Sequence, residues 1–179
     1  EWTIRSASIE TADGRRIVDF EEHNLHVVQY SQPVDRVVST DELQAHLHSI
    51  PDRPDWIPYR TSYYQESWGF CPTQRRRDTL DQDRYRVRID AELKPGHLTY
   101  GELVLPGRRT DEVLISAHSC HPSLANDNLS GMVIATALAG HLARQPRELT
   151  WRFLFVPGTI GSIVWLSRNE EVARRVTHG

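Results

Sequence analysis

Residues 112–156 constrain the fold most, because two short apolar runs bracket one amphipathic stretch. Glu112-Val113-Leu114-Ile115-Ser116-Ala117 and Trp151-Arg152-Phe153-Leu154-Phe155-Val156 have the length and composition of buried parallel strands. Between them Leu129, Met132, Val133, Leu138 and Leu142 fall at helical spacing, with Gly140 a weak point. Strand, helix, strand in about 45 residues is a βαβ unit, and its crossover is expected to be right-handed. A further helix is expected over Ser162–Arg175. This part of the chain reads as α/β.

Upstream the pattern differs. Residues 1–103 read as a β-rich domain of short strands and turns, and 104–179 as the βαβ portion of a second domain. Ile4, Ile9, Ile17-Val18, the run Leu25–Tyr30 and the run Tyr85–Ile89 are the strand candidates, with Asp13-Gly14 and Lys94-Pro95-Gly96 as turns. One helix is expected after the cap offered by Ser39-Thr40-Asp41-Glu42, with Leu43, Leu47 and Ile50 on one face and Pro51 ending it. At 179 residues and 39% hydrophobic content, the chain can bury one large core or two small ones. A net charge of −3 gives no electrostatic footprint for nucleic acid, and no apolar run approaches the ~18 residues of a membrane span. Two cysteines, Cys71 and Cys120, make no disulfide framework, so a cytoplasmic location is expected. Glu1 is neither an initiator Met nor the start of a secretory signal, and a piece of a longer protein is expected.

The densest chemistry lies in Ala117-His118-Ser119-Cys120-His121-Pro122-Ser123-Leu124-Ala125-Asn126-Asp127-Asn128-Leu129-Ser130-Gly131, where the first buried strand gives way to the helix. Open α/β sheets place ligands outside the carboxyl ends of their strands. His118, His121 and Asp127 offer imidazole nitrogen and carboxylate oxygen, a donor set suited to zinc. The competing reading is that Asp127 or Asn126 merely caps the helix while both histidines bond to loop backbone. Cys120 beside two histidines invites a thiol nucleophile, but no further orienting residue is apparent. Five aromatics between Tyr59 and Phe70 suit the core of a small β-domain, with one or two tyrosines facing a cleft. Arg75-Arg76-Arg77 reads as a solvated turn.

An ordered series of segments carries a resemblance. It comprises Asn24-Leu25-His26-Val27-Val28, Tyr30-Ser31-Gln32-Pro33-Val34, Ile57-Pro58-Tyr59, Thr61-Ser62-Tyr63-Tyr64, Trp68-Gly69-Phe70-Cys71 and Leu98-Thr99-Tyr100-Gly101-Glu102. Cys120-His121-Pro122-Ser123-Leu124-Ala125-Asn126 and Thr159-Ile160-Gly161-Ser162 complete it. Over essentially the whole chain it resembles bacterial aminopeptidase-like proteins that carry an inserted domain of unknown function and are associated with polysaccharide or natural-product biosynthesis.

The resemblance implies part of a zinc-aminopeptidase-like α/β domain with a β-rich insertion, related to the co-catalytic two-metal exopeptidases. In such relatives a strand-end His and a helix-start Asp-Asn hold metal, the Asp bridging two zinc ions. That pattern maps onto His118 and Asp127-Asn128, with His121 a second candidate because the His-to-Asp spacing is short. The implied reaction is hydrolysis of an N-terminal peptide or small amide bond by metal-activated water, with a homo-oligomer possible. Two departures matter. The family pattern Pro-Glu-Thr-Ile-Gly-Ser stands here as Pro157-Gly158-Thr159-Ile160-Gly161-Ser162, removing the natural general base or ligand, and the relatives' downstream Asp, Glu and His ligands have no counterpart in this sequence. The expected outcome is an incomplete or inactive hydrolase. The alternative is a non-catalytic ligand-binding or scaffold module.

Overall fold

The computed structural model describes every residue except Tyr63, Tyr64, Pro122 and Ser123, so the part of the aromatic cleft reading that falls on Tyr63 and Tyr64 lies outside the described residues. The chain is mixed α/β and divides into two compact units, Glu1–Gly96 and His97–Gly179.

In the first unit, β1 (Trp2–Glu10), β2 (Arg16–Asp19), β3 (Val34–Ser39) and β4 (Arg84–Leu93) form an antiparallel sheet in the order β2-β1-β4-β3. β4 shows why: Tyr85, Val87, Ile89 and Ala91 alternate inward while Arg84, Arg86 and Arg88 face out. The inward set packs with Ile9, Val18, Val38, Leu43 and Phe70, several of them fully buried, each such side chain stabilising the fold by about 1.5–3 kcal/mol. On the outer face Arg5 pairs with Asp90 and Arg86 with Asp35, exposed contacts that contribute little.

The helix α1 (Thr40–Ala45) begins as expected, with the Ser39 hydroxyl accepting from Glu42 N–H. It stops well before Pro51. The Phe70 N–H donates to the His46 carbonyl and the His48 N–H to the Phe70 carbonyl, so residues 46–48 leave the helix for a short ladder. The Leu25–Tyr30 run is likewise no strand. Asn24–His26 is a 3-10 turn, and Val27 and Gln29 make single bridges to Phe70 and Thr61. Arg75–Arg77 lie in a second helix, α2 (Gln74–Asp78), not in a bare turn. Arg76 bonds Glu22, and Arg77 reaches Gln44 and Ser49.

Phe70 is a core residue, as expected, and so is Cys71, whose thiol burial pushes up to about 12, leaving it protonated and inert. His26 is 2% exposed, its Nδ1 2.9 Å from the Cys71 carbonyl. Burial holds its pKa below the usual histidine value, and the same cause acts on His48. The unfolded chain takes up these protons near pH 6.5, whereas the folded one resists them. Their stabilisation is therefore complete above about pH 6.5 and is lost as pH falls toward the depressed folded values. We expect the urea midpoint of the first unit to drop between pH 7.5 and 5.5 and His26→Gln to flatten that dependence. A midpoint that does not move would contradict the burial argument.

The second unit holds β5 (Gly101–Leu105), β6 (Glu112–His118), β7 (Thr150–Val156) and β8 (Val176–His178) in the order β5-β7-β6-β8. β6 is parallel to both β7 and β8, and β5 is antiparallel to β7. That pairing explains why this unit starts at His97, earlier than the expected boundary after residue 103: Gly101–Leu105 is sheet edge here. The helix α3 (Ser130–Leu142) joins β6 to β7 and packs Ala135 and Ala139 on Phe153 and Ala117, with Trp151 and Phe155 alongside. On alternate residues of β7, Leu154 and Val156 pack with Trp165 of α4 (Ile160–Arg168). The expected single helix over 162–175 is broken at Asn169, and α5 (Glu170–Ala173) follows.

Arg152 sits among these apolar residues because each of its three nitrogens is paired with a carboxylate. Its Nε and Nη2 donate to Glu112 at 2.6 and 3.1 Å and its Nη1 to Glu102 at 2.6 Å. Arg175 Nε also donates to Glu112, and Trp165 Nε1 to Glu102. Four strands or helices are tied at one point. No helix among the described residues is long and apolar enough to cross a membrane.

Candidate functional site

β6 ends at His118, and the Ser119 N–H donates to the Val156 carbonyl at 2.8 Å, so the ends of β6 and β7 are held side by side. A π-type turn, Ala125–Leu129, then leads into α3, with a cis peptide between Asp127 and Asn128. The loop brings Asp127 back over the strand end. His118 Nε2 lies 2.6 Å from Asp127 Oδ1, and His121 Nε2 lies 3.6 Å from Asp127 Oδ2. Each carboxylate oxygen thus faces a different imidazole. Asp127 is exposed, His118 half-exposed and His121 nearly buried, so the group opens to solvent on the carboxylate side.

Helix capping, the alternative for this loop, is not what Asp127 does. α3 has no side-chain cap, and Asp127 is engaged with His118 instead. Asn128 Nδ2 donates to the His118 main-chain carbonyl at 3.2 Å. Pro122 and Ser123 of this loop lie outside the described residues.

Two imidazole nitrogens and one carboxylate are chemically apt for zinc, whose bonds to N and O run near 2.0–2.2 Å. The His121–Asp127 separation matches two donors on one such ion, while the His118–Asp127 pair, in direct contact, must open slightly. Among the described residues, however, no group of three or more His, Cys, Asp or Glu side chains is arranged to hold a metal ion. The donors suit the metal in kind and fall short in number.

Gly158 follows β7 on the same sheet edge. A β-carbon there would meet Cys120 Sγ at 3.7 Å, an ordinary contact, and the backbone does not occupy the left-handed region. Neither packing nor conformation requires glycine. The strain in this turn falls on the next residue. Thr159 has φ 55° and ψ −66°, with Ile160 N–H bonded to the Gly158 carbonyl across a γ-turn. Cys120 is exposed, and both histidines beside it face the Asp127 carboxylate.

Residues 1–92 match the family described as "Domain of unknown function (DUF2172)". The chain is 47% identical, over all 179 residues, to a Clostridium acetobutylicum protein named for polysaccharide biosynthesis and an aminopeptidase-like domain, of which it covers 41%. A crystal structure from the same organism, named as that of a peptidase, superposes with a TM-score of 0.95 at 47% identity over 98% of this chain and 42% of its own. The chain spans about two fifths of the length of the curated relative it matches.

Proposed function

The chain belongs to the DUF2172 family, and from that premise we propose that it is part of a zinc-dependent aminopeptidase-like hydrolase acting on N-terminal peptide or small amide bonds. The observation that carries this reading is the Asp127 carboxylate set between His118 and His121 at the carboxyl end of β6. A carboxylate that offers one oxygen to each of two imidazoles brings together donors of the two kinds that suit zinc, which supports the reading. The peptidase and aminopeptidase names of the two C. acetobutylicum proteins support the reaction class. Zinc in such a site supplies Lewis acidity and an activated water. His118, Asp127 and His121 are the donors it would draw on once the His118–Asp127 contact opens, and a second ion would need donors from other parts of the longer relatives.

A second reading, a non-catalytic ligand-binding module, is favoured by Gly158, which offers neither a base nor a ligand where the resembled family has glutamate.

Equilibrium dialysis with metal analysis tests the proposal. Three local donors fall short of the four that structural zinc takes, so the chain should take up zinc weakly, and His118→Ala or Asp127→Ala should abolish that uptake. Uptake indifferent to both substitutions would refute the assignment. A tightly held stoichiometric ion would show that further local groups complete the site.

A further inference from the structure

Asn128 directs its amide to the main chain of the strand end. Its Nδ2 reaches the His118 carbonyl at 3.2 Å, and its side chain fills the space above Gly131. A β-carbon on Gly131 would lie 2.4 Å from Asn128 Oδ1, closer than such atoms approach, and a tight 3.0 Å from both its Cγ and Nδ2. Any other residue at 131 must displace the amide. Capping does not account for it, since α3 begins without a side-chain cap.

We infer that Asn128 and Gly131 act as one positioning device: the glycine makes room for the amide, and the amide locks the strand end carrying His118 to the loop carrying Asp127. Asn128 follows Asp127 directly in the chain, so one hydrogen bond to the His118 main chain fixes both donors. The Ser119 N–H, bonded to Val156 at 2.8 Å, holds the same strand end from the β7 side. This inference rests on the reading of His118 and Asp127 as metal donors and adds what sets their separation. The resemblance implies that Asp127-Asn128 together hold metal; the hydrogen bond to His118 gives Asn128 a positioning role.

The test is a double-substitution cycle, Asn128→Ala, Gly131→Ala and both together, in the full chain. Zinc chloride is titrated against the His118 imidazole signals in NMR, which resolve weak binding. Residues supporting metal ligands typically influence affinity by about 10–100-fold, so each single substitution should raise the zinc midpoint about tenfold. The double variant should be no worse than Asn128→Ala, because the methyl group added at position 131 then meets no amide. Thermal melts without zinc should show the same non-additivity. Midpoints within about twofold of wild type, or effects that simply add, would overturn the inference. If the wild-type imidazole does not respond to zinc at all, the proposed function fails, while additive or non-additive melts still decide the coupling of Asn128 to Gly131.

Discussion

Replacing Arg152 by alanine should destabilise the second unit by about 3–5 kcal/mol, the range for removing one partner of a buried ion pair. The side chains of Arg152 and Glu112 are 9% and 4% exposed, and Glu112 accepts two of Arg152's hydrogen bonds. After truncation, among the described residues, Glu112 keeps Arg175, at 3.1 Å, and Glu102 keeps the indole N–H of Trp165. A neutral isostere would not repair this, because two carboxylates would remain without their shared cation. The network also sets an acid limit. Hydrogen bonding to Arg152 holds the Glu112 carboxyl below its usual value, so its contribution is complete above the unfolded pKa near 4.3 and is lost as pH falls through the depressed folded value. Chemical denaturation of wild type and Arg152→Ala measures the first effect. A loss under about 1 kcal/mol would mean that water reaches the pair.

Gly158→Glu should turn a silent site into an active one, though only where the remaining ligands are present. We expect no turnover of amino-acid p-nitroanilides by the 179-residue chain with either residue. In a polypeptide extended to the length of the C. acetobutylicum relative, the glutamate should raise kcat by about 10²–10⁴, the usual contribution of a general base. Its first side-chain carbon fits: among the described residues it meets Cys120 Sγ at 3.7 Å, an ordinary contact. Robust turnover by the glycine form would overturn the role given to position 158. An extended Gly158→Glu protein that binds two zinc ions yet cleaves no amide would favour the binding-module reading.

How far these features could be read from sequence depended on how local their causes were. The βαβ unit was legible because buried strands and an amphipathic helix each leave a periodic trace in a few adjacent residues. The α1 start was legible for the same reason, through Ser39 and its acidic first turn. The α1 end was not, since it is decided by Phe70, far along the chain. β5 escaped notice because Gly101–Leu105 is an exposed edge whose partner, β7, lies some fifty residues on. At the site, the proximity of His118 and Asp127 followed from their place at a strand-to-helix turn. The Asn128–Gly131 fit did not, because a void above a glycine has no sequence signature. Arg152 inside Trp151-Arg152-Phe153-Leu154-Phe155-Val156 was a missed cue: an arginine in an apolar strand implies a buried counter-charge.

β6 carries Glu112 at one end and His118 at the other, about 20 Å apart at ~3.3 Å per residue. Substitutions so far apart, with no shared partner, act independently. Selection can therefore erode or rebuild the His118 end without endangering the anchor at Glu112, and can harden the anchor without touching the chemistry. A lineage that loses a reactive group at the carboxyl edge keeps a folded, heritable scaffold on which a new specificity can arise. The architecture of this one strand thus keeps change at its carboxyl edge apart from the stability of the fold.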